Sequence, residues 1–353
     1  MSLFETAASC FFYIFNRMNI KNILFRLLFI LTLTPLLVAC GSDDDDTIIY
    51  LPDNGGNTGG NNGGTPDDNN LSGEDSGVAG NSNCNTTATL TGTIPEVMRL
   101  EFPRIKKGTS VVIVHKTSDK YDPTGVNYCT EWDYELQSQR WSCYQMHAGY
   151  SLKGITRYQS DKDHRQYPWD EDLSTNYYTQ VDNYTRSGFD HGHICPSADR
   201  LYSSRANYQT FYMTNMQPQY HEFNAGLWGE MENQVRVWTP TKPTDTLYVC
   251  KGGTIDGQTY DNKSGTLEYI NDVLLTPRFF YMALLLKNSQ GYRAMAFWAE
   301  NLDADHSKDA LSKYAISIDE LERRTGIDFF CNLPDEVEKQ VEASYLPILW
   351  GLQ

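Results

Sequence analysis

The chain has 353 residues, of which 40% are hydrophobic and 13% are aromatic. This length allows one large domain or two small ones, and the aromatic content excludes a chain that is disordered throughout. The formal charge of −16 argues against a protein that coats nucleic acid through bulk positive charge. Nine acidic residues and no Lys or Arg lie between 41 and 83, so the remainder is only moderately acidic.

The first 39 residues have the layout of an export signal. A short cationic stretch after Met18 precedes an apolar run from Leu27 to Ala39, which is shorter than the roughly 20 residues needed to span a bilayer. The run ends in Leu37-Val-Ala-Cys40, which resembles the bacterial lipobox. We therefore predict a lipoprotein signal peptide at 1–39, translated from Met18, and lipidation of Cys40. An ordinary signal peptide with an incidental cysteine is the alternative.

Residues 40–83 predict a flexible tether. Four aspartates at 43–46 follow Cys40 and resemble the acidic tag that directs some lipoproteins of Gram-negative bacteria to the outer surface; a solubilising charge run is the alternative. The Gly-, Asn- and Asp-rich remainder cannot bury enough apolar surface to offset the entropy lost on ordering. We expect a lipid-anchored outer-membrane protein exposed at the cell surface, with the periplasmic face as the other location.

The globular part is predicted at 84–353. Runs of β-branched and aromatic residues indicate strands, whereas helical spacing of apolar residues or a capping box indicates helices. The predicted strands are 111–115, the two arms of a hairpin at 128–144, 210–214, 247–250, 278–286 and 293–298, and the predicted helices are 225–238, 317–326 and 335–342. These elements alternate without regular βαβ units, which favours the α+β class.

Six cysteines lie beyond the predicted anchor: Cys84, Cys129, Cys143, Cys195, Cys250 and Cys331. An even number of cysteines in an exported chain suggests disulfides, whose pairing the sequence leaves open. Cys129 and Cys143 bracket the predicted hairpin and are the first pair we expect. The chain has no CxxC motif, which argues against a cysteine zinc site.

Residues with catalytic side chains are concentrated between 165 and 236. His191 and His193 flank Gly192, directly after Asp190. Four residues then follow at intervals of four: Asn224, Trp228, Glu232 and Arg236. On an α-helix this spacing keeps the side chains along one edge. An imidazole base, an oxygen ligand for a hard cation, a carboxylate and arginines together suit phosphodiester hydrolysis.

These segments resemble the DNA/RNA non-specific endonucleases, the ββα-metal (His-Me finger) group that includes the Serratia-type nucleases and mitochondrial endonuclease G. The stretch 190–193 (DHGH) is similar to the family's Asp-Arg-Gly-His motif, and 214–219 and 224–236 follow in the family's order and spacing. Segments 276–280 and 318–330 are similar to its later strand and its C-terminal helix. The resemblance covers about residues 98–345 and implies a central antiparallel sheet flanked by helices.

The resemblance assigns the central chemistry to three residues. It implies that His193 is the general base on water and that Asn224 is the one direct protein ligand of Mg²⁺, with Mn²⁺ as the alternative ion. A single amide ligand is reasonable because Mg²⁺ keeps most of its waters. Glu232 is implied to hold a metal-bound water from outside the ligand shell.

Supporting roles follow from the same resemblance. Asn215 is expected to orient His193 or the phosphate. Arg236 and Arg165 match arginines that stabilise negative charge in the transition state, and Arg157 competes for the place of Arg165. Asp190 is interpreted as structural, fixing the loop that presents His193.

His191 departs from the family pattern, because it stands where the motif usually has arginine. Imidazole is mostly neutral at pH 7 and cannot make a forked phosphate contact. Weaker phosphate binding, a lower rate or a more acidic pH optimum is the expected consequence. The base and the metal ligand remain, so we still expect activity.

The resulting prediction is a Mg²⁺-dependent endonuclease, non-specific for sequence and sugar, that cuts DNA and RNA and leaves 5′-phosphates. Homodimers occur in the family, so a homodimer is among the partners considered. A locally basic binding surface is expected on the acidic body from five arginines of the active segment: Arg165, Arg186, Arg200, Arg205 and Arg236.

Two readings from other classes stay open. One is a zinc hydrolase with His191, His193 and His221 as ligands, which gives Asn224 no role. The other is a catalytically weak or dead surface lipoprotein that binds nucleic acid, suggested by His191 and the negative charge.

Overall fold

The computed structural model describes residues 80–117, 125–148, 154–343 and 345–352. The predicted signal peptide (1–39), the lipidated Cys40 and the tether as far as residue 79 lie outside the described residues. Asn81 and Asn83 donate hydrogen bonds to the carbonyl of Cys331 and to the carboxylate of Asp328. Residues just before 84 therefore belong to the folded part as well.

The described residues form fifteen strands and four α-helices. The strands are β1 (Ala88–Thr89), β2 (Gly92–Thr93), β3 (Ser110–Lys116), β4 (Val126–Asp133), β5 (Ser138–Met146), β6 (Asp190–His193), β7 (Met216–Gln219), β8 (Thr246–Gly253), β9 (Thr259–Tyr260), β10 (Lys263–Ser264), β11 (Thr266–Ile270), β12 (Leu274–Pro277), β13 (Phe279–Asn288), β14 (Gly291–Glu300) and β15 (Ala315–Ile316). The α-helices are α1 (Ser204–Gln209), α2 (Gly229–Val237), α3 (Ile318–Thr325) and α4 (Asp335–Glu342). Short 3₁₀ turns lie at Pro95–Met98, Ser197–Arg200, Met213–Asn215, Leu311–Tyr314 and Pro347–Trp350, and a π-helical turn at Phe223–Trp228 leads into α2. No helix within these described ranges is both long and apolar enough to cross a bilayer.

The centre of the fold is a seven-stranded antiparallel sheet with the order β15-β14-β13-β8-β5-β4-β3. Five of the six predicted strand regions lie in this sheet. The predicted α+β class and central antiparallel sheet are therefore confirmed. A separate two-stranded sheet pairs β6 with β7, and it carries the predicted histidine motif.

Both faces of the large sheet are covered, which explains the uninterrupted apolar run at 279–286 in β13. Phe279, Tyr281 and Leu285 face a cluster that includes residues of α3 and α4. Phe280 and Leu284 alternate with them and face a second cluster that includes the apolar stripe of α2. Successive side chains on a strand point to opposite faces, so a strand buried on both sides needs apolar residues at every position.

The helix predictions are confirmed with small shifts in their boundaries. Ser317 caps α3 by accepting a hydrogen bond from the backbone N–H of Glu320, and Gly326 ends the helix with a φ of +67°, a conformation that favours glycine. Helix α4 has the predicted bounds. The helical segment predicted at 225–238 begins as the π turn at Phe223.

The strand predicted at 210–214 is wrong. Residues 210–212 form a turn after α1, and Met213–Asn215 is a 3₁₀ turn. The carbonyl of Thr210 accepts a hydrogen bond from the side chain of Asn215 over 2.7 Å, and the N–H of Met213 donates to the carbonyl of Pro168. These backbone groups are satisfied by turn contacts, and residues 210–214 are all buried, without the alternation of a half-buried strand.

The expected Cys129–Cys143 disulfide is not formed. All six cysteines of the described part carry free, buried thiols. Cys129 does lie opposite Cys143 across the β4–β5 pair, and Cys250 lies opposite Cys143 on the next strand. Burial raises the pKa of the Cys143 and Cys250 thiols, which disfavours the thiolate needed for disulfide exchange.

Candidate active site

A ββα unit carries the histidine motif. Strand β6 pairs with β7 so that Asp190 lies opposite Gln219 and His193 opposite Met216. The chain then enters the helical segment 223–237, whose apolar stripe packs on the large sheet. This packing fixes the position of the polar edge of the helix beside the hairpin.

Gly192 allows the two short strands to approach closely. A Cβ atom at this position would lie 2.4 Å from the side chain of Gln219, which is fully buried. Because His191 and His193 are two residues apart on β6, their side chains project from the same face of the strand. Both histidines line one cleft.

The cleft has a volume of about 420 Å³. It is lined by Arg157, Tyr167, Phe189, Asp190, His191, His193, Pro196, Ser197, Ala198, His221, Asn224 and Glu232. The structure thus brings together the predicted base, the predicted metal ligand and the predicted carboxylate. Of the other predicted site residues, Asn215, Arg165 and Arg236 are not among the described residues that line the cleft.

His193 is held as a neutral imidazole. Its ring lies edge-on to Phe211 with 4.8 Å between centroids, and its carbonyl accepts a hydrogen bond from the indole N–H of Trp228 over 3.3 Å. Burial, and then the positive charge of Arg157, lower the pKa of His193 to about 3. The ring is partly exposed, but its Nε2 is buried and has no hydrogen-bond partner among the described residues. The neutral ring lines the cleft, and a neutral imidazole can accept a proton.

Asp190 fixes the orientation of Asn224. Its Oδ2 accepts hydrogen bonds from Nδ2 of Asn224 over 3.0 Å and from Nδ1 of His221 over 2.9 Å. The amide nitrogen of Asn224 is thereby committed, and no donor of the described residues is bonded to its Oδ1. We expect Asp190 to fix the loop of His193; in the structure its carboxylate holds the amide of Asn224, which lines the cleft.

Glu232 lies about two turns after Asn224, lines the same cleft and is paired with a lysine that was not predicted from the sequence. Nζ of Lys251 lies 2.9 Å from Oε1 of Glu232 and 4.9 Å from the ring centroid of Trp228. Burial raises the pKa of Glu232, and Lys251 opposes that rise. Lys251 is fully buried on β8. A lysine inside an otherwise apolar strand run was the signal that could have found it.

His191 is packed as a flat ring between two tyrosines. The centroid distances are 3.7 Å to Tyr167 and 4.0 Å to Tyr184, and Nε2 lies 3.3 Å from Oδ1 of Asp182. Burial lowers the pKa of His191, with Asp182 opposing. Burial therefore favours the neutral ring, and a forked phosphate contact of the kind arginine makes is absent at this position.

The zinc alternative finds no support in this geometry. Within the described residues, His191, His193 and His221 do not form a group whose ligand atoms lie within 4.8 Å of one another.

Asn215 and Arg236 bond to residues just after β6 and do not line the cleft. The fully buried amide of Asn215 accepts a hydrogen bond from the N–H of Cys195 and donates one to its carbonyl, both over 2.9 Å. It therefore holds the chain that leaves β6 and does not contact the ring of His193. Arg236 donates to the buried carboxylate of Asp199 over 2.8 Å.

The arginine in the cleft is Arg157. Its guanidinium donates to the hydroxyl of Ser197 and lies 4.8 Å from the ring centroid of Phe211. Arg165 instead lies over the ring of Trp169 at the surface. Arg200 is fully buried, and Arg205 is paired with Glu171. Three of the five arginines of the predicted basic surface are thus buried or paired with carboxylates, namely Arg200, Arg205 and Arg236.

Comparisons with known proteins agree with this architecture. The nuclease EXOG of Xenopus laevis mitochondria is 28% identical over 182 residues, which cover 49% of this chain and 49% of that protein. Human mitochondrial endonuclease G is 27% identical over 183 residues, covering 50% of this chain and 61% of that protein. A nuclease of Nostoc sp. is 30% identical over 170 residues, which cover 45% of this chain and 57% of that protein. The match thus spans about half to three fifths of these relatives.

The fold is similar to that in a crystal structure of the EndoG/EndoGI complex. The TM-score is 0.51 at 23% sequence identity, over 62% of this chain and 86% of that one. This likeness confirms the predicted ββα-metal fold. The sequence itself matches the DNA/RNA non-specific endonuclease family over residues 114–336, which is more than half of its length. The chain therefore belongs to the DNA/RNA non-specific endonuclease family.

Proposed function

We propose that this protein is a divalent-metal-dependent endonuclease that hydrolyses phosphodiester bonds of DNA and RNA. The observation that carries the proposal is that the neutral imidazole of His193 and the oriented amide of Asn224 line one cleft. Family membership and the nuclease relatives support the same conclusion.

The donor set fits a hard cation such as Mg²⁺. The amide nitrogen of Asn224 is bonded to Asp190, which leaves Oδ1 available as a ligand. Glu232 lines the same cleft. Mg²⁺ prefers oxygen ligands and keeps several waters, so one amide ligand suffices. A cation bound there supplies positive charge that stabilises the phosphate and the leaving oxygen.

Proton transfer and charge stabilisation are carried out by the protein's own side chains. A ring nitrogen of His193 accepts a proton from the water that attacks phosphorus, while the bond from phosphorus to the 3′ oxygen breaks and that oxygen takes up a proton from solvent. The products are a 5′-phosphate and a 3′-hydroxyl. Arg157 neutralises the charge that develops on the phosphate oxygens, since preorganised donors are most effective where charge appears in the transition state. Asn215, Asp190 and Trp228 position these groups.

The polar side chains of the cleft are consistent with cleavage that does not depend on base sequence. The polar side chains of the cleft are suited to phosphate and a cation, and contacts to phosphate position a nucleic acid without reading its bases. We also propose, from the sequence alone, that Cys40 is lipidated and anchors the enzyme at the outer membrane, facing the cell exterior.

A cleavage assay tests the proposed function. The full-length chain is incubated with plasmid DNA and with structured RNA, in Mg²⁺, Mn²⁺ or EDTA, and the product ends are tested for a 5′-phosphate. We expect cleavage of both substrates in either metal and none in EDTA. Salt-dependent binding of both substrates without cleavage, by a folded protein, would favour the nucleic-acid-binding alternative instead.

Activity is expected to persist at lower pH than an ordinary histidine base allows. The lowered pKa of His193, about 3, keeps the ring neutral and able to accept a proton as the pH falls from 7 to 5.5. An imidazole with the usual pKa of about 6.5 would be roughly nine-tenths protonated at pH 5.5, and its rate would fall about tenfold. We expect kcat/KM for plasmid cleavage to fall less than about threefold. A tenfold fall with an apparent pKa near 6.5 would contradict this prediction.

Arg157, and not Arg165, is expected to contribute to the rate. The Arg157→Ala variant should lose about 10²-fold in kcat/KM, since it removes a cationic donor from the cleft. Arg165→Ala is the matched control, because that guanidinium lies over Trp169 and outside the cleft. Initial rates of plasmid cleavage measure both. Equal losses in the two variants would show that Arg157 has no special role.

A further inference from the structure

Helices α3 and α4 place a group of carboxylates between them, far along the chain from the histidine motif. Asp319 and Glu322 are three residues apart on α3, and Glu338 and Glu342 are four residues apart on α4. Residues at these spacings lie on the same side of a helix. Each helix therefore presents two acidic side chains on one side.

Three of these residues converge closely. One carboxylate oxygen from each of Asp319, Glu322 and Glu342 lies within 4.8 Å of the other two. Oxygens bound to one Ca²⁺ at the usual distance of roughly 2.3–2.6 Å can be at most about 5 Å apart. The spacing of the three oxygens therefore suits a shared cation of this size.

The group lacks a positive partner within the part of the chain that the structure describes. No Lys, Arg or His forms an ion pair there with Asp319, Glu322 or Glu342. On the same helix, Glu320 is bonded to two arginines that are not shared with its neighbours. Like charges on one helix side destabilise it unless something bridges them.

Glu342 is the most informative member. Its side chain is only 5% exposed, and its Oε1 has no hydrogen-bond partner among the described residues. It also ends α4, where the helix dipole is negative and favours cations over anions. A buried carboxylate without a donor is costly, so this oxygen is suited to a ligand that brings positive charge.

We propose that Asp319, Glu322 and Glu342 form a second cation site, of the calcium type, that links α3 to α4. All three ligands are hard oxygens, which Ca²⁺ prefers, whereas zinc favours nitrogen and sulfur. Glu322 is oriented by the N–H of Phe329, which donates to its Oε1 over 2.7 Å. Asp319 is exposed, which leaves one side open to water ligands. The bound ion would stabilise the C-terminal helices.

The competing state is a proton in place of the cation. Burial, together with the neighbouring Glu322 and Glu338, raises the pKa of Glu342 to about 11. A cluster neutralised by protons alone would bind no Ca²⁺ and would gain no stability from it. Added Ca²⁺ therefore distinguishes the two states: a cation site binds it and gains stability, whereas a protonated cluster does neither.

The test measures Ca²⁺ binding by calorimetry and the midpoint of thermal unfolding, on chelator-stripped full-length protein. The background carries Asn224→Ala, so that binding at the catalytic cleft is removed and the outcome does not depend on nuclease activity. The site variant is Glu342→Gln, which keeps the shape of the side chain but removes its charge. Glu336→Gln is the matched control, since Glu336 lies exposed on the same helix.

We expect the background protein to bind one Ca²⁺ and to unfold at a higher temperature when Ca²⁺ is added. Glu342→Gln should weaken this binding at least about tenfold and abolish the rise, whereas Glu336→Gln should leave both unchanged. In EDTA the Glu342→Gln protein should unfold no earlier than its parent, which shows that it folds. Absence of Ca²⁺ binding by the folded background protein, or equal binding by Glu342→Gln, would overturn the proposal.

Discussion

Replacement of His193 by alanine is expected to lower kcat for DNA cleavage by about 10²- to 10⁴-fold, the range that a positioned general base contributes. The ring is neutral, its Nε2 is unpaired among the described residues, and it lies in the cleft with Asn224 and Arg157. The other two imidazoles of the cleft are each bonded to a carboxylate through one nitrogen, His191 to Asp182 and His221 to Asp190. Initial rates on plasmid DNA in saturating Mg²⁺ measure the loss.

The control for this variant is His164→Ala. His164 is exposed and bonded to Asp161, and it does not line the cleft, so its removal should change kcat less than about twofold. Circular dichroism on both variants shows whether the fold persists. A loss of less than about threefold for His193→Ala, in a folded protein, would mean that another group takes the proton.

Replacement of Asn224 by alanine is expected to raise the Mg²⁺ concentration needed for half-maximal activity by at least about 10²-fold, because it removes the proposed protein ligand of the ion. Asp190 orients this amide so that its oxygen is free. Asn224→Asp, which keeps an oxygen at the same place, should retain more activity than the alanine variant. The measurement is the cleavage rate as a function of Mg²⁺ concentration.

The comparison variant is Asn176→Ala, at an exposed loop position outside the cleft, which should leave the Mg²⁺ dependence unchanged. The result also separates the two catalytic readings. A zinc enzyme built on His191, His193 and His221 would be indifferent to Asn224. Unchanged activity and Mg²⁺ dependence in a folded Asn224→Ala protein would therefore refute the proposed metal site.

The parts of the site that lie close together in the sequence could be predicted from it. His193 on β6, and Asn224 and Glu232 on the helical segment, belong to one continuous ββα unit, so the spacing of the motif nearly determines their geometry. The sheet strands could be predicted for a similar reason. The run in β13 is apolar at every position because both of its faces are covered.

The parts contributed by distant segments could not be predicted. Lys251 comes from β8 and Asp182 from a loop. The apolar run around Lys251 marks it as unusual, but nothing in the sequence pairs it with Glu232, or Asp182 with His191. The choice between Arg157 and Arg165 depends on which side chain points into the cleft, and the sequence does not show this. Arg236 had the expected spacing, but the buried Asp199 holds its guanidinium away from the cleft.

The central claim is that one cleft joins a histidine base to a cation bound at Asn224. The most direct measurement is the rate of plasmid DNA cleavage by the full-length protein and by its His193→Ala variant, each in Mg²⁺ and in EDTA, after both are shown to be folded. We expect rapid cleavage by the wild-type protein in Mg²⁺ and intact plasmid in the other three reactions. Similar Mg²⁺-dependent rates for the two proteins, or cleavage by the wild type in EDTA, would contradict it.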